Sequence, residues 1–237
     1  MFSLDSVVPW GRSFDEYRRM FALTENDLGR RILGCGDGPA SFNAEATARG
    51  CRVTSLDPLY GFDRSQIEAR ITATYEQVLA QTRLNAHEFV WGAGIGDVEE
   101  LGRVRMAAMQ RFLEDFEVGQ RENCGADLYG PRARYVNASL PTLPFDDNTF
   151  DLALCSHFLF LYSTQLGEAF HLAALKEMCR VASEVRVFPL LALGGSRSPF
   201  VEVCATQLRR AGVEVTIERV PYEFQRGGNE MLRLNQR

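Results

Sequence analysis

Hydrophobic and polar positions along this chain follow two periods in turn. Behind the capping-box pattern Ser13-Phe14-Asp15-Glu16, the residues Tyr17, Met20 and Phe21 return on one helical face. That spacing predicts a first helix within an N-terminal extension of residues 1–29. A short apolar run at 31–33 (RIL) predicts a buried strand, and residues 41–49 a helix closed by Gly50. Residues 51–57 (CRVTSLD) predict a second strand, stopped by Pro58. A β-turn-α-β unit of about thirty residues favours a parallel strand pair.

The period then changes. Ile67, Ile71, Tyr75 and Val78 fall at helical spacing, as do Leu101, Val104, Ala108 and Phe112, with the loop FVWGAGIGD (89–97) between them. Residues 60–130 are therefore expected to form a helical insertion after strand two. Alternation resumes with strands at 133–138 and 150–156, a helix at 165–181, a strand at 184–193, a helix at 198–212, and strands at 213–220 and 230–235. The reading is an α/β fold: one domain over 1–237, with a doubly wound, mostly parallel sheet. Such sheets bind ligands beyond the carboxyl ends of their strands, beside the first one.

Gly34, Gly36 and Gly38 stand at that place, where a strand gives way to a helix. Bare backbone there admits a ligand, and free amides at the helix start offer donors. Asp57 ends the neighbouring strand about twenty residues on, where a carboxylate can accept bonds from two ribose hydroxyls. A nucleoside-bearing cofactor follows. A nicotinamide dinucleotide asks for G-x-G-x-x-G, whereas this chain has G-x-G-x-G with Pro39 in the third glycine's place. The rival reading of a nicotinamide-dependent oxidoreductase is weakened accordingly.

At ILGCGDGPASF…ARGCRVTSLD and at LPFDDNTFDLALCSHFLFLY (143–162), the chain resembles the class I S-adenosylmethionine-dependent methyltransferases. The resemblance spans about half the chain. It implies a Rossmann-like sheet of seven strands with the last antiparallel, and S-adenosylmethionine as cofactor. Carried onto this sequence, it implies cofactor-binding residues at Gly34, Cys35, Gly36, Asp37 and Gly38, at Asp57 and Pro58, at Ala138 and Ser139, and at Ser156 and His157. It also implies an acceptor site in the N-terminal extension and the insertion, the latter serving as a lid. One departure stands out: the family's first motif opens with an acid two residues before its first glycine. Here that place holds Ile32 or, in the register that better fits the distance to Gly50, Gly34. Asp37 is a candidate to compensate through space.

Methyl transfer from a sulfonium needs proximity and alignment, with a base only where the acceptor must lose a proton. His157, directly after strand four, is the candidate catalytic residue. It either positions cofactor or acceptor, takes a proton, or is simply held by backbone carbonyls. Tyr162 faces the cleft or packs behind it, while His87 and His171 read as structural or surface residues. In YEFQRGGNEML (222–232), Gly227-Gly228-Asn229 predicts a hairpin turn, or Glu223, Gln225 and Asn229 face the acceptor. Trp10 and Arg12 are candidates to close over the cleft.

Charge and composition narrow the partners. A net charge of −5 and a pI of about 5.4 give no global attraction to nucleic acid, and no basic stripe with interleaved aromatics is visible. The six cysteines (Cys35, Cys51, Cys124, Cys155, Cys179, Cys204) are scattered without C-x-x-C and read as reduced thiols. With no signal-peptide pattern and no run long enough to span a membrane, a cytoplasmic protein is expected. No metal is expected. A small-molecule acceptor fits best; the alternatives are a non-catalytic cofactor-binding module, or methylation of protein or RNA.

Overall fold

The computed structural model describes residues 2–4, 7–92, 94–122 and 133–236. Its centre is a seven-stranded sheet in the order β3-β2-β1-β4-β5-β7-β6. The strands are β1 (Arg31–Cys35), β2 (Arg52–Leu56), β3 (Tyr135–Val136), β4 (Phe150–Ser156), β5 (Ala182–Phe188), β6 (Glu214–Arg219) and β7 (Glu230–Asn235). Strands β1 to β5 run parallel, and β7 is antiparallel to both β5 and β6. This is the Rossmann-like arrangement with an antiparallel last strand that the resemblance implies.

Helices cover both faces, as a parallel sheet requires. They are α1 (Phe14–Met20), α2 (Glu25–Leu28), α3 (Phe42–Ala48), α4 (Arg64–Leu84), α5 (Val98–Glu122), α6 (Glu168–Val181) and α7 (Phe200–Arg210). Side chains alternate across the sheet with the strand period of two. Leu33, Cys35, Ala153 and Cys155 enter one core with Leu175 and Met178 of α6 and Cys204 and Leu208 of α7. Ile32, Leu152 and Leu154 enter the opposite core with Tyr17 and Met20 of α1 and Phe42 of α3. Helix α1 starts where the sequence predicts, with Ser13 and Glu16 closing a capping box.

Several boundaries differ from the expected ones. Strand β1 runs two residues past Leu33, so Gly34 and Cys35 are strand and the turn begins at Gly36. Strand β5 ends at Phe188 although PLLAL continues the apolar run, because Pro189 has no N–H with which to extend the ladder. The single turn of α2, capped by Thr24, has too few residues to show a period. The insertion contributes α4 and α5 between β2 and β3; its expected tail at 123–130, with Cys124, lies outside the described residues. Cys35, Cys51, Cys155, Cys179 and Cys204 are free thiols. Among the described residues no helix is long and apolar enough to cross a membrane.

The end of the central strands away from the glycine turn is fastened by a buried ion cluster. Arg186 on β5 reaches Asp27 of α2 at 2.9 Å and Glu184 at 2.7 Å, and donates to the Phe21 carbonyl at 2.8 Å. Arg30 and Arg233 also pair with Glu184, at 2.7 and 2.8 Å. Removing one partner of such a pair leaves an uncompensated charge out of water, at about 3–5 kcal/mol. Arg186→Met is expected to lower the unfolding free energy by roughly 3 kcal/mol in a denaturant titration. Arg18→Met, whose one ion-pair partner among the described residues is the exposed Glu25, is expected to change it by under about 1 kcal/mol.

Candidate active site

A cavity of about 560 Å³ lies at the carboxyl ends of β1, β2 and β4. The residues following these three strands make its floor: Gly36–Gly38 after β1, Asp57–Leu59 after β2, and Ser156–Phe158 at β4. Gly36 and Gly38 have φ of 66° and 54°, values at which a side chain would be strained. At Gly36 an added Cβ would also press on the Phe158 ring at 3.0 Å. The turn they form is tied directly to the neighbouring strand end. The Gly38 N–H donates to Asp57 Oδ2 at 2.9 Å, and the Leu59 N–H to Oδ1 at 2.8 Å. Each carboxylate oxygen has two lone pairs, so Asp57 keeps acceptor capacity toward the cavity. Burial raises its pKa, and the two backbone donors oppose the rise.

Asp37 is the second carboxylate on this floor. Its Oδ1 accepts from the Tyr17 hydroxyl at 2.8 Å and its Oδ2 from the Ser55 hydroxyl at 2.6 Å. Burial pushes its pKa up to about 6; the two hydroxyl bonds work against that, and the nearby Asp57 charge adds to it. Tyr17, buried beside this carboxyl, is pushed well above its ordinary value and remains a donor.

His157 has φ of 52°, in the left-handed region unusual for its type. Its N–H donates to the Phe188 carbonyl at 2.7 Å, its ring packs edge-on to Phe188, and Nδ1 pairs with the Ser156 hydroxyl at 2.9 Å. Burial lowers its pKa well below 6.5, and the charges of Arg12 and Arg105 lower it further. The imidazole therefore stays neutral. His171 takes the structural role: both ring nitrogens lie 2.9 Å from carbonyl oxygens, of Gly167 and Leu159. His87 is exposed.

Of the residues marked by the sequence, Gly36, Asp37, Gly38, Asp57, Pro58, Ser139, Ser156 and His157 all line the cavity. Gly34, Cys35 and Ala138 are absent from its lining. The strand alternation sends the Cys35 side chain into the core beneath, where burial raises the thiol pKa well above 9. Ala138 packs against that same core. Trp10, Arg12, Tyr162 and Gln225 line the cavity, the Tyr162 hydroxyl accepting from the Val8 N–H at 3.3 Å. Glu223 and Asn229 do not; they bond each other at 3.1 Å and close the turn, with the Gly227 N–H on Glu223 at 2.8 Å.

The upper walls come from elements with little in common along the chain. Helix α4 contributes Arg70, Thr74, Val78 and Thr82, four residues apart and so on one face. Phe2, Leu4 and Val8 precede the first helix, Phe89 sits in the insertion loop, and Leu193 and Phe224 follow β5 and β6. Sequence reasoning missed most of these. Apolar residues in loops have no period, and their one signal is that they are apolar where turns are usually polar.

Solved structures offer loose likenesses. The magnesium protoporphyrin IX methyltransferase of Synechocystis PCC 6803 is 11% identical, over 94% of this chain and 91% of its own, at a TM-score of 0.45. A Burkholderia thailandensis 1,6-didemethyltoxoflavin-N1-methyltransferase is 16% identical, over 87% and 71%, at 0.43. Neither value speaks to substrate. The sequence profile described as "Methyltransferase domain" matches residues 94–184, from the insertion through β4 and α6 into β5. An uncharacterized protein of Methanocaldococcus jannaschii, MJ0045, is 31% identical over 231 residues, which make up 97% of this chain and 96% of that protein. The chain and MJ0045 belong to one family, and residues 94–184 of the chain match a methyltransferase domain.

The Asp37 carboxyl has a consequence that can be measured without any ligand. Its folded pKa lies above the unfolded value of 3.8, so the folded state holds the proton more tightly. The stability it contributes is complete below about pH 4 and is lost as pH rises to about 6, by roughly 3 kcal/mol. Asp37→Asn is expected to abolish that decline between pH 4 and pH 6.5. Urea titrations of wild type and variant across this range check it, and parallel pH profiles would count against the assignment.

Proposed function

We propose that the cavity seats S-adenosylmethionine along the ends of β1, β2 and β4, with a small, largely apolar acceptor above it. The observation that carries this is the meeting, in one cavity, of the left-handed glycine turn, the Asp57 carboxylate and the end of β4. The residues present fit such a cofactor. Asp57 has lone pairs free for two ribose hydroxyls, and Gly36 and Gly38 leave the backbone bare where a ligand passes. Pro58, Ser139 and Ser156 complete that edge. When bound, S-adenosylmethionine supplies an electrophilic methyl carbon on a positively charged sulfur.

The chain's own residues then orient and shield. His157, neutral and held by Ser156, offers an imidazole lone pair or N–H to the acceptor and fixes its approach. Its depressed pKa makes it a weak base, which suits an acceptor that needs alignment more than deprotonation. The insertion and the N-terminal extension serve as the lid. Phe2, Leu4, Trp10, Phe89 and Phe224 exclude water from the reacting atoms and read an apolar acceptor. A walled cavity of about 560 Å³ favours a small molecule over a protein or RNA chain.

Two measurements test this reading. Thermal unfolding is expected to shift up with S-adenosylmethionine or S-adenosylhomocysteine and not with NAD, by about 2.7 kcal/mol at a hundredfold excess over Kd. Asp57→Ala is expected to lose the shift; a shift with NAD alone would overturn the cofactor assignment. With methyl-labelled S-adenosylmethionine and cell extract, label is expected in the small-molecule fraction. Label confined to protein or RNA would overturn the acceptor class, and no transfer to any fraction would favour a binding module.

A further inference from the structure

The family pattern wants a carboxylate two residues before the first glycine of the turn, a place occupied here by Gly34. The structure puts one there from elsewhere. A Cβ built on Gly34 would lie 1.8 Å from Asp37 Oδ2, 2.5 Å from Cγ and 2.7 Å from Oδ1, and these are the three atoms nearest to it. The carboxyl group of Asp37 thus fills the volume into which a side chain at 34 would project. Gly34 shares the face of β1 with Ile32, toward α1, and Tyr17 of α1 holds the Asp37 carboxyl from that side. Ser55, from β2, holds it from the other.

A cation stands over the same cavity. Arg12 lines it, and its Nε is buried without a hydrogen-bond partner. Its NH1 donates to the Trp10 carbonyl at 3.0 Å, and its own carbonyl accepts from the Ser41 N–H at 3.0 Å, which fixes the residue against the start of α3. The nearest carboxylate of the roof, Glu16, is engaged by Arg105 at 2.6 Å. Two guanidiniums thus share one carboxylate. Burial and then Arg105 push Arg12 down to about 10, the mark of a cation short of counter-charge.

We infer that Asp37 and Arg12 grip the zwitterionic amino-acid end of the cofactor, Asp37 for its ammonium and Arg12 for its carboxylate. Asp37 thereby delivers, from three residues downstream, the acid that the family pattern places at Gly34. The inference rests on the cavity being the cofactor site. It accounts for three facts together: a strand glycine whose side-chain volume another residue's carboxyl fills, a buried acid on the cavity lining, and a guanidinium with an unused donor. Ammonium and carboxylate would each receive a charge-assisted partner, and the two sit at opposite ends of the same small group.

The test compares two probes by calorimetric titration. S-adenosylhomocysteine carries the amino-acid end, whereas methylthioadenosine lacks it and keeps the nucleoside. Asp37→Asn and Arg12→Gln are each expected to weaken S-adenosylhomocysteine by about tenfold or more, the scale of one lost hydrogen bond to a charged group. Methylthioadenosine is expected to stay within about twofold, which also shows that the variants are folded. Asp37→Gly should lose S-adenosylhomocysteine affinity, and the exchange Gly34→Asp with Asp37→Gly should recover most of it. S-adenosylhomocysteine binding indifferent to Asp37 and Arg12 would overturn this inference and leave the cofactor site standing. So would equal weakening of both probes, which marks a structural role. If neither probe binds the wild type, the cofactor reading falls and this one with it.

Discussion

One buried carboxylate holds the roof of the site together. Glu16 on α1 receives Arg105 of the insertion at 2.6 Å and the Tyr222 hydroxyl, from the segment between β6 and β7, at 2.8 Å. It also receives the Ser13 N–H of its own helix cap. Burial alone would raise its pKa, but Arg105 overrides that, with help from Arg12 and Ser13, and brings it down to about 2. The group is ionised throughout the neutral range, and Arg105 is its fully buried counter-ion. Three parts of the chain that share no secondary structure are thereby fixed to one point. The apolar walls they carry, from Trp10, Val78 and Phe224, face one another because this point fixes them.

Below the roof, the sheet sets the floor with little freedom. Parallel register places Gly34 opposite Ser55 and Leu154, so the turn after β1, the acid after β2 and the histidine after β4 fall at one level. The Gly38 to Asp57 hydrogen bond then closes the gap between two of these loops. His157 sits above them in a strained backbone conformation, neutral because two guanidiniums and burial disfavour its charge. The two carboxylates and the histidine lie on this floor, while the walls are mostly apolar with Arg12 and Arg70 set among them.

Much of this was legible in the sequence, and what was not has identifiable causes. The alternation of strands and helices, the insertion and the Asp57 position followed from period and spacing, and strands β4 and β7 match their expected bounds residue for residue. The error at β1 arose because glycine was taken as a strand terminator. Gly34 pairs within the sheet, and the volume beside it is filled by a carboxyl three residues away, which no local pattern carries. The Cys35 side chain turns into the core and away from the cavity for a related reason, since which face a strand residue takes depends on where the strand ends. The Glu16–Arg105 pair spans 89 positions and joins two helices that look like ordinary amphipathic ones. Trp10 and Arg12 were found, as an aromatic and a cation beside a cap, but the neighbouring Phe2, Leu4 and Val8 left no periodic trace.

Residues 34 and 37 compete for a single volume, and that restricts how such a sequence can drift over generations. A side chain acquired at 34 requires the carboxyl at 37 to move away or to be lost. A lineage that keeps the acid at 37 where Tyr17 and Ser55 now hold it is confined to glycine at 34, however freely the rest of the strand varies. The two positions therefore form one inherited unit with two settings. Related chains can be sorted by which setting they carry before anything is known of the molecules they modify.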